Sequence, residues 1–336
     1  MLKWLVYAAF VGILVALVAV FSWSGTALPL SQARAVDVKP GSGLSVIGRQ
    51  LQHAGILPKG HQALIKWWFL AYASGEAGHV QAGFYVVEPG TSPWNLLRKM
   101  VHGDVTPRHI QFIEGWTFAQ MREVLNQYPW IAHDTENMSD AEILRALSIP
   151  HRHAEGRFFP DTYDIASGND DLSILRRAYT TMQQRLMSAW QTRDPGLPYQ
   201  TPQQALIMAS IIEKETGNAN ERPLVASVFV NRLRLGMRLR TDPTVIYGLG
   251  NVFEGRLHKK DLLTDTPWNT YTRYGLPATP IDMPGMASIQ AALHPAHSND
   301  LYFVAKGDGT HVFSTDLSAH NRAVNVYQKQ RMPGVR

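Results

Sequence analysis

The sequence predicts an α+β protein carried on a single N-terminal membrane-spanning helix. Three observations lead there. Residues 5–23 form an uncharged apolar run. Residues 37–104 alternate short strand-like and helix-like stretches, as a small αβ subdomain does. Residues 105–332 carry several helical periodicities and a late hairpin signal, which together describe a larger mixed α+β domain.

The apolar run is long enough for one bilayer-spanning helix and long for the core of a signal peptide. Trp4, Tyr7 and Trp23 stand near its ends, where interfacial aromatics collect. Only Lys3 and the amino terminus are positive on the short side, so residues 1–23 read as a cytoplasmic tip and an uncleaved anchor, with the rest of the chain outside. A cleavable signal peptide is the alternative, with Ala33-Arg34-Ala35 as a poor cleavage site. Residues 24–36 are small and polar, and read as a linker.

In the subdomain, Pro40-Gly41-Ser42-Gly43 ends a strand and opens a helix bearing Leu44, Ile47 and Leu51. Residues 63–72 form an aromatic-rich helix and residues 82–87 a second strand. Ser92 and Pro93 suit the start of the next helix. The unit has no constellation of catalytic type, so binding or spacing is its default role.

In the larger domain, residues 109–113 are a strand candidate. Ser139 with Glu142 spells a capping box. Leu172, Leu175, Tyr179, Met182, Leu186 and Trp190 follow a 3/4 spacing, predicting an amphipathic helix over 171–190. Thr201 and Pro202 start a helix that Gly217 is suited to end with a left-handed cap. Pro223 starts another, ended by Gly236. Residues 241–244 read as a turn, 287–293 as a short helix, 301–305 and 311–314 as a hairpin, and 318–330 as the last helix.

Composition narrows the function. Of 336 residues, 18% are charged and 45% hydrophobic, so the chain folds. A net charge of +5 with no dense Lys/Arg run argues against a nucleic-acid partner. Cysteine is absent, which excludes disulfides, thiolate metal sites and cysteine nucleophiles. Thirteen histidines raise the question of a metal. No H-E-x-x-H occurs, and His151-x-His153 and His294-x-x-His297 lack neighbouring carboxylates, so no metal or cofactor is expected. Nucleophile-elbow, phosphate-loop and dinucleotide glycine motifs are also missing.

The helix from Pro202 carries two glutamates, Glu213 and Glu215. At about 100° per residue they point roughly 200° apart. Glu215 follows the stripe of Ile207, Met208, Ile211 and Ile212, while Glu213 falls on the side of Ala209 and Ser210. Glu215 is therefore expected to face the interior or a cleft floor, and Glu213 to be structural, paired with an arginine. A carboxylate withdrawn from water prefers its neutral form, and a neutral acid near pH 7 is what cleavage of a glycosidic bond requires. A glutamate that simply projects past the core fits the periodicity equally.

A polar cluster follows: Asn231, Arg232, Arg238, Arg240, Thr241, Asp242, Thr244 and Tyr247, then Asn269, Thr270, Tyr271 and Thr272. Amide, hydroxyl and aromatic groups of this kind hydrogen-bond sugar hydroxyls and stack on ring faces. From it, Asn231, Arg238, Thr241, Asp242, Thr244, Tyr247, Asn269 and Tyr271 are the substrate-binding candidates. Local turns and caps would use the same residue types.

Residues 211–217 (IIEKETG), 221–250 (ERPLVASVFVNRLRLGMRLRTDPTVIYGLG) and 268–277 (WNTYTRYGLP) stand in an order and spacing that closely resemble the MltG (YceG-like) family, the membrane-anchored endolytic murein transglycosylases. FIEGWT, EGRFFPDTY, HPA and SAHNRAV extend the resemblance over nearly the whole chain. It implies an inner-membrane anchor, a periplasmic catalytic domain at 105–332, and a LysM-like subdomain at 37–104 that touches glycan. It makes Glu215, the second glutamate of the motif, the catalytic acid and then base. The implied reaction closes a 1,6-anhydro ring on N-acetylmuramic acid within peptidoglycan strands, limits nascent glycan length, and makes cell-wall synthases implied partners. A hydrolytic muramidase using Glu215 and Asp242, or a non-catalytic glycan-binding scaffold, are the alternatives. The chain departs from the family at Ile113, where proline is common, and in the loop 275–281. Both departures touch loop shape rather than Glu215.

Overall fold

A computed structural model of the protein describes residues 2–329 and confirms a mixed α+β chain. It divides into two compact units. The first comprises residues 1–110, 128–132 and 164–170, and the second the remainder.

In the first unit, α1 (Leu2–Gly25) is followed by β1 (Arg34–Val38), α2 (Leu44–His53), α3 (His61–Ala73), β2 (Gly83–Val87) and α4 (Pro93–Val101). β1 and β2 pair antiparallel, with Arg34 opposite Val87 and Val38 opposite Gly83. Alternation along β1 turns Val36 and Val38 inward, against Ile47 and Leu51 of α2, Trp67 of α3, and Leu96, Leu97 and Met100 of α4. Ser92 caps α4 through the Asn95 amide at 3.2 Å, with Pro93 in the first turn, as its sequence predicts.

One expectation changes here. Residues 24–36 are not a free linker: Leu28 is buried, its amide donates to the Thr91 carbonyl at 2.9 Å, and β1 already begins at Arg34. Apolar Leu28 outweighs the polar surroundings that suggested a tether. The expected membrane span is helical as α1, but among the described residues no helix is long and apolar enough to cross a membrane. The side chains of residues 5, 6, 8–10, 12–14 and 16, the centre of that run, lie outside them. At its C-terminal end Val20 and Trp23 pack on the core of this unit.

The chain continues through β3 (His109–Gln111), α5 (Phe118–Gln127), α6 (Asp140–Ala146), β4 (Thr162–Asp164), α7 (Asp171–Gln191), α8 (Pro202–Glu215), α9 (Arg222–Arg234), α10 (Asp242–Leu249), α11 (Lys259–Leu263), α12 (Met286–Leu293), β5 (Tyr302–Ala305), β6 (His311–Ser314) and α13 (Leu317–Val324). A π-helical turn runs on to Lys329, and Gln330, expected in the last helix, lies outside the described residues.

The second unit is organised around α8. Every residue from Ala205 to Ile212 is buried, so the middle of this helix has no solvent face, and only its ends, at Gln204 and Lys214, are exposed. α7, α9, α10 and α12 pack around it. The hydroxyl of Ser210 satisfies two groups inside this core, donating to the Ile207 carbonyl and accepting from the Ile281 amide at 3.0 Å. Thr201 caps α8 through the Gln204 amide. The helix stops because Thr216 turns extended; Gly217 does not take the left-handed conformation expected of it. Gly236, by contrast, ends α9 at φ 65° as expected. Residues 241–244 are not an isolated turn. With Pro243 in its first turn, Asp242 begins α10. β5 and β6 form the expected antiparallel hairpin.

Candidate active site

Glu215 is the last residue of α8, where the helix leaves the core. Its carboxylate accepts a hydrogen bond from the Thr241 hydroxyl, which sits just before α10. Burial pushes the Glu215 carboxyl up to about 7; the Thr241 bond opposes that rise and the nearby Asp242 charge adds to it. The group is thus half protonated near neutrality and able to give or take a proton.

Glu215 opens on a cleft of about 880 Å³. Arg238, Arg240, Asp242 and Tyr271 line it from the loops around α10, and Arg232 and Phe229 from α9. Tyr302, Phe303 and His311 line it from the hairpin. The Tyr271 hydroxyl donates to Asp242 at 2.5 Å. The Arg238 guanidinium lies 4.5 Å from the Tyr274 ring centre, and that of Arg232 lies 5.2 Å from the Tyr302 ring centre. Two backbone carbonyls, of Leu301 and Leu239, hold Arg232, each at 2.6 Å. The walls are therefore cationic and aromatic around two carboxyl groups, Glu215 and Asp242.

Glu213 leaves α8 into different surroundings. It accepts from the Gly285 amide at 3.0 Å and pairs with Arg222 at 3.5 Å, both side chains largely buried. The two glutamates do diverge, but not as an apolar and a polar face. Ala209 and Ser210, on the Glu213 side, are as buried as Ile211 and Ile212. What distinguishes the two is their partners, which only tertiary packing supplies.

The substrate-binding candidates separate in the same way. Arg238, Asp242 and Tyr271 line the cleft, and Thr241 touches Glu215 from beneath. Four others are turned to structural use. Asn231 donates to the Ser298 and Asp300 carbonyls at 2.8 and 3.1 Å. Thr244 bonds the Thr241 carbonyl, and its hydroxyl meets that of Thr270. Fully buried Asn269 donates to the Leu262 and Thr264 carbonyls and accepts from the Tyr271 amide. Tyr247 donates to Glu155 at 3.0 Å. Unpaired loop carbonyls claim amide and hydroxyl groups first, which is why residue type alone overcounts sugar contacts.

Sequence reasoning missed the hairpin wall, because nothing in 302–311 announces that it packs against α9 and lines the cleft of Glu215. It also missed Glu155. This buried carboxyl accepts from the Phe118 amide at 2.9 Å and from Tyr247, and burial raises it to about 7 despite both bonds. Among the described residues no group of histidines and carboxylates could hold a metal ion.

A protonatable carboxylate at the mouth of a core helix, facing a polar and aromatic cleft, defines an enzyme of the acid–base class. The model of the YceG-like family matches residues 36–326, and the chain belongs to that family. It is similar to an endolytic murein transglycosylase of Bacillus subtilis, 30% identical over 311 residues that cover 87% of this chain and 84% of the relative. An endolytic murein transglycosylase of Streptococcus pneumoniae is 26% identical over 334 residues; the match takes in 88% of this chain but 59% of that longer relative. The crystal structure of a yceG-like protein from Listeria monocytogenes superposes with a TM-score of 0.53 at 28% identity, covering 87% of this chain and all of that one.

Proposed function

We infer that this protein is an endolytic murein lytic transglycosylase, cleaving within peptidoglycan strands between N-acetylmuramic acid and N-acetylglucosamine. The observation that carries the reading is Glu215: an acid at the end of a buried helix, raised to about 7 and facing a cleft, in a chain whose relatives are named for that activity.

The chemistry follows from one acid. Protonated Glu215 gives its proton to the oxygen of the scissile bond as that bond to the muramic C1 breaks. Positive charge grows at C1, and the ionised Glu215 left behind is placed to stabilise it. The C6 hydroxyl of the same muramic residue then attacks C1, and its proton passes to Glu215, which is restored. The product carries a 1,6-anhydro ring. A second carboxylate is needed where water must be activated, but here the nucleophile belongs to the substrate. Arg238 and Tyr271 are placed to hold sugar hydroxyls beside the bond.

Three further proposals rest on the resemblance. Residues 5–23 anchor the chain in the inner membrane, with the catalytic unit in the periplasm. The small β1–α4 unit is LysM-like and touches glycan. Cleavage limits the length of new strands and brings the enzyme close to cell-wall synthases.

The deciding experiment digests purified glycan strands and weighs the products. Anhydromuramic ends support the reading. Reducing ends would replace it with hydrolysis, with Asp242, in the same cleft, as the second carboxylate. No cleavage would leave a glycan-binding scaffold.

A further inference from the structure

The hairpin wall holds a histidine set up by a carboxylate. Nδ1 of His311 lies 2.7 Å from one oxygen of Glu221, and the His311 backbone amide donates to the other at 3.1 Å. One carboxylate, on the residue before α9, thus clamps both the ring and the backbone of the same residue. The two side chains are only 12% and 14% exposed. A carboxylate can only accept, so Nδ1 carries the ring proton and Nε2 is the nitrogen left over. Among the described residues Nε2 has no hydrogen-bond partner, and His311 lines the cleft that Glu215 opens on. The ring of Phe303 meets the imidazole edge-on, with centres 5.5 Å apart, which fixes its plane.

Arg232, Arg238 and Arg240 only donate, and Glu215 is committed to the scissile bond. Tyr274, Tyr302, His320 and Gln328 also offer acceptors on the lining, but His311 is the one whose ring and backbone are both held by a carboxylate. A glycan brings hydroxyl and acetamido hydrogens that need acceptors of their own. We propose that Nε2 of His311 is a substrate-contacting group that accepts a hydrogen bond from the sugar beside Glu215, and that Glu221 is the positioning residue that holds the ring by Nδ1 so that Nε2 is the nitrogen left for the sugar. This rests on the transglycosylase reading.

The test measures anhydro-end formation and melting for His311→Met, His311→Gln, Glu221→Gln and the double variant H311M/E221Q. Met removes the acceptor at similar bulk, whereas Gln keeps one. Met should lower kcat/KM about 30-fold and Gln about 3-fold, with melting close to wild type. Glu221→Gln permits the other tautomer and should cost about 10-fold, yet the double variant should be no worse than H311M alone. Equal losses for Met and Gln, or fully additive losses in the double variant, would overturn the proposal and make the pair a brace for the hairpin. If wild-type protein forms no anhydro ends, the parent reading falls by itself. His311 is then judged by binding of intact glycan strands: affinity at least tenfold weaker in H311M supports the contact, and unchanged affinity refutes it.

Discussion

The hydroxyl of Thr241 donates to the carboxylate of Glu215 across 26 positions of sequence. The bond joins the end of α8 to the residue just before α10. It also tunes the acid, because a donor to a carboxylate favours the charged form. Thr241→Val keeps the shape and removes that donor, so the Glu215 pKa should rise further. The alkaline limb of the rate profile should move up by about half to one pH unit, while kcat falls because the ionised form is a poorer catalytic state without its donor. A pH–rate profile on glycan strands reads the shift; an unmoved limb would show that Thr241 serves the backbone alone.

Replacing Glu215 with Gln keeps the side chain's size and removes the transferable proton. Anhydro-end formation should drop by about 10³-fold or more, with the melting temperature unchanged or higher, since a buried acid that resists ionisation is removed. Residual activity within tenfold of wild type would move the acid elsewhere.

Glu213 should behave in the opposite way. Glu213→Gln strips the charge partner from Arg222, whose side chain is only 13% exposed. A loss of about 2 kcal/mol, read as several degrees of melting, is expected with kcat nearly intact. A catalytic defect with normal melting would mean that the roles of the two glutamates are exchanged.

Glu155 gives stability a pH dependence. Its carboxyl is raised from the ordinary carboxylate range to about 7, so the folded state holds a proton that the unfolded chain releases between about 4.5 and 7. The stabilisation is complete below the unfolded value and is lost as pH rises through the folded one. At full size the shift is worth about 3 kcal/mol. Melting should be higher at pH 5 than at pH 8, and Glu155→Gln, which stays neutral, should reduce the difference to the share that Glu215, raised to the same range, contributes. A slope unchanged by the substitution would assign it wholly to other groups.

The local elements were legible because their causes are local. The cap at Ser92, the capping box at Ser139, the glycine that ends α9 and the strand pattern of 302–305 and 311–314 each depend on residues a few positions apart. The motif around Glu215 was legible too, as an order of residue types that resembles one family. Where local cues misled, a longer-range partner had outbid them. Leu28 drew a polar stretch into the core, and loop carbonyls took up Asn231 and Asn269.

Chain order and residue type pointed to the helix that carries Glu215, and settled that no thiol chemistry is open to the protein and which family it belongs with. Folding decided the rest. Periodicity describes the neighbours of a residue along its own helix, but a carboxyl's proton affinity depends on what packs against it from elsewhere. Thr241 and Asp242 reach Glu215 from beyond α9, Arg222 and Gly285 reach Glu213 instead, and His311 arrives on a hairpin some ninety residues downstream. Those meetings are set by how α9 and α10 pack around α8 and how the hairpin packs on α9, and no spacing within one helix encodes them.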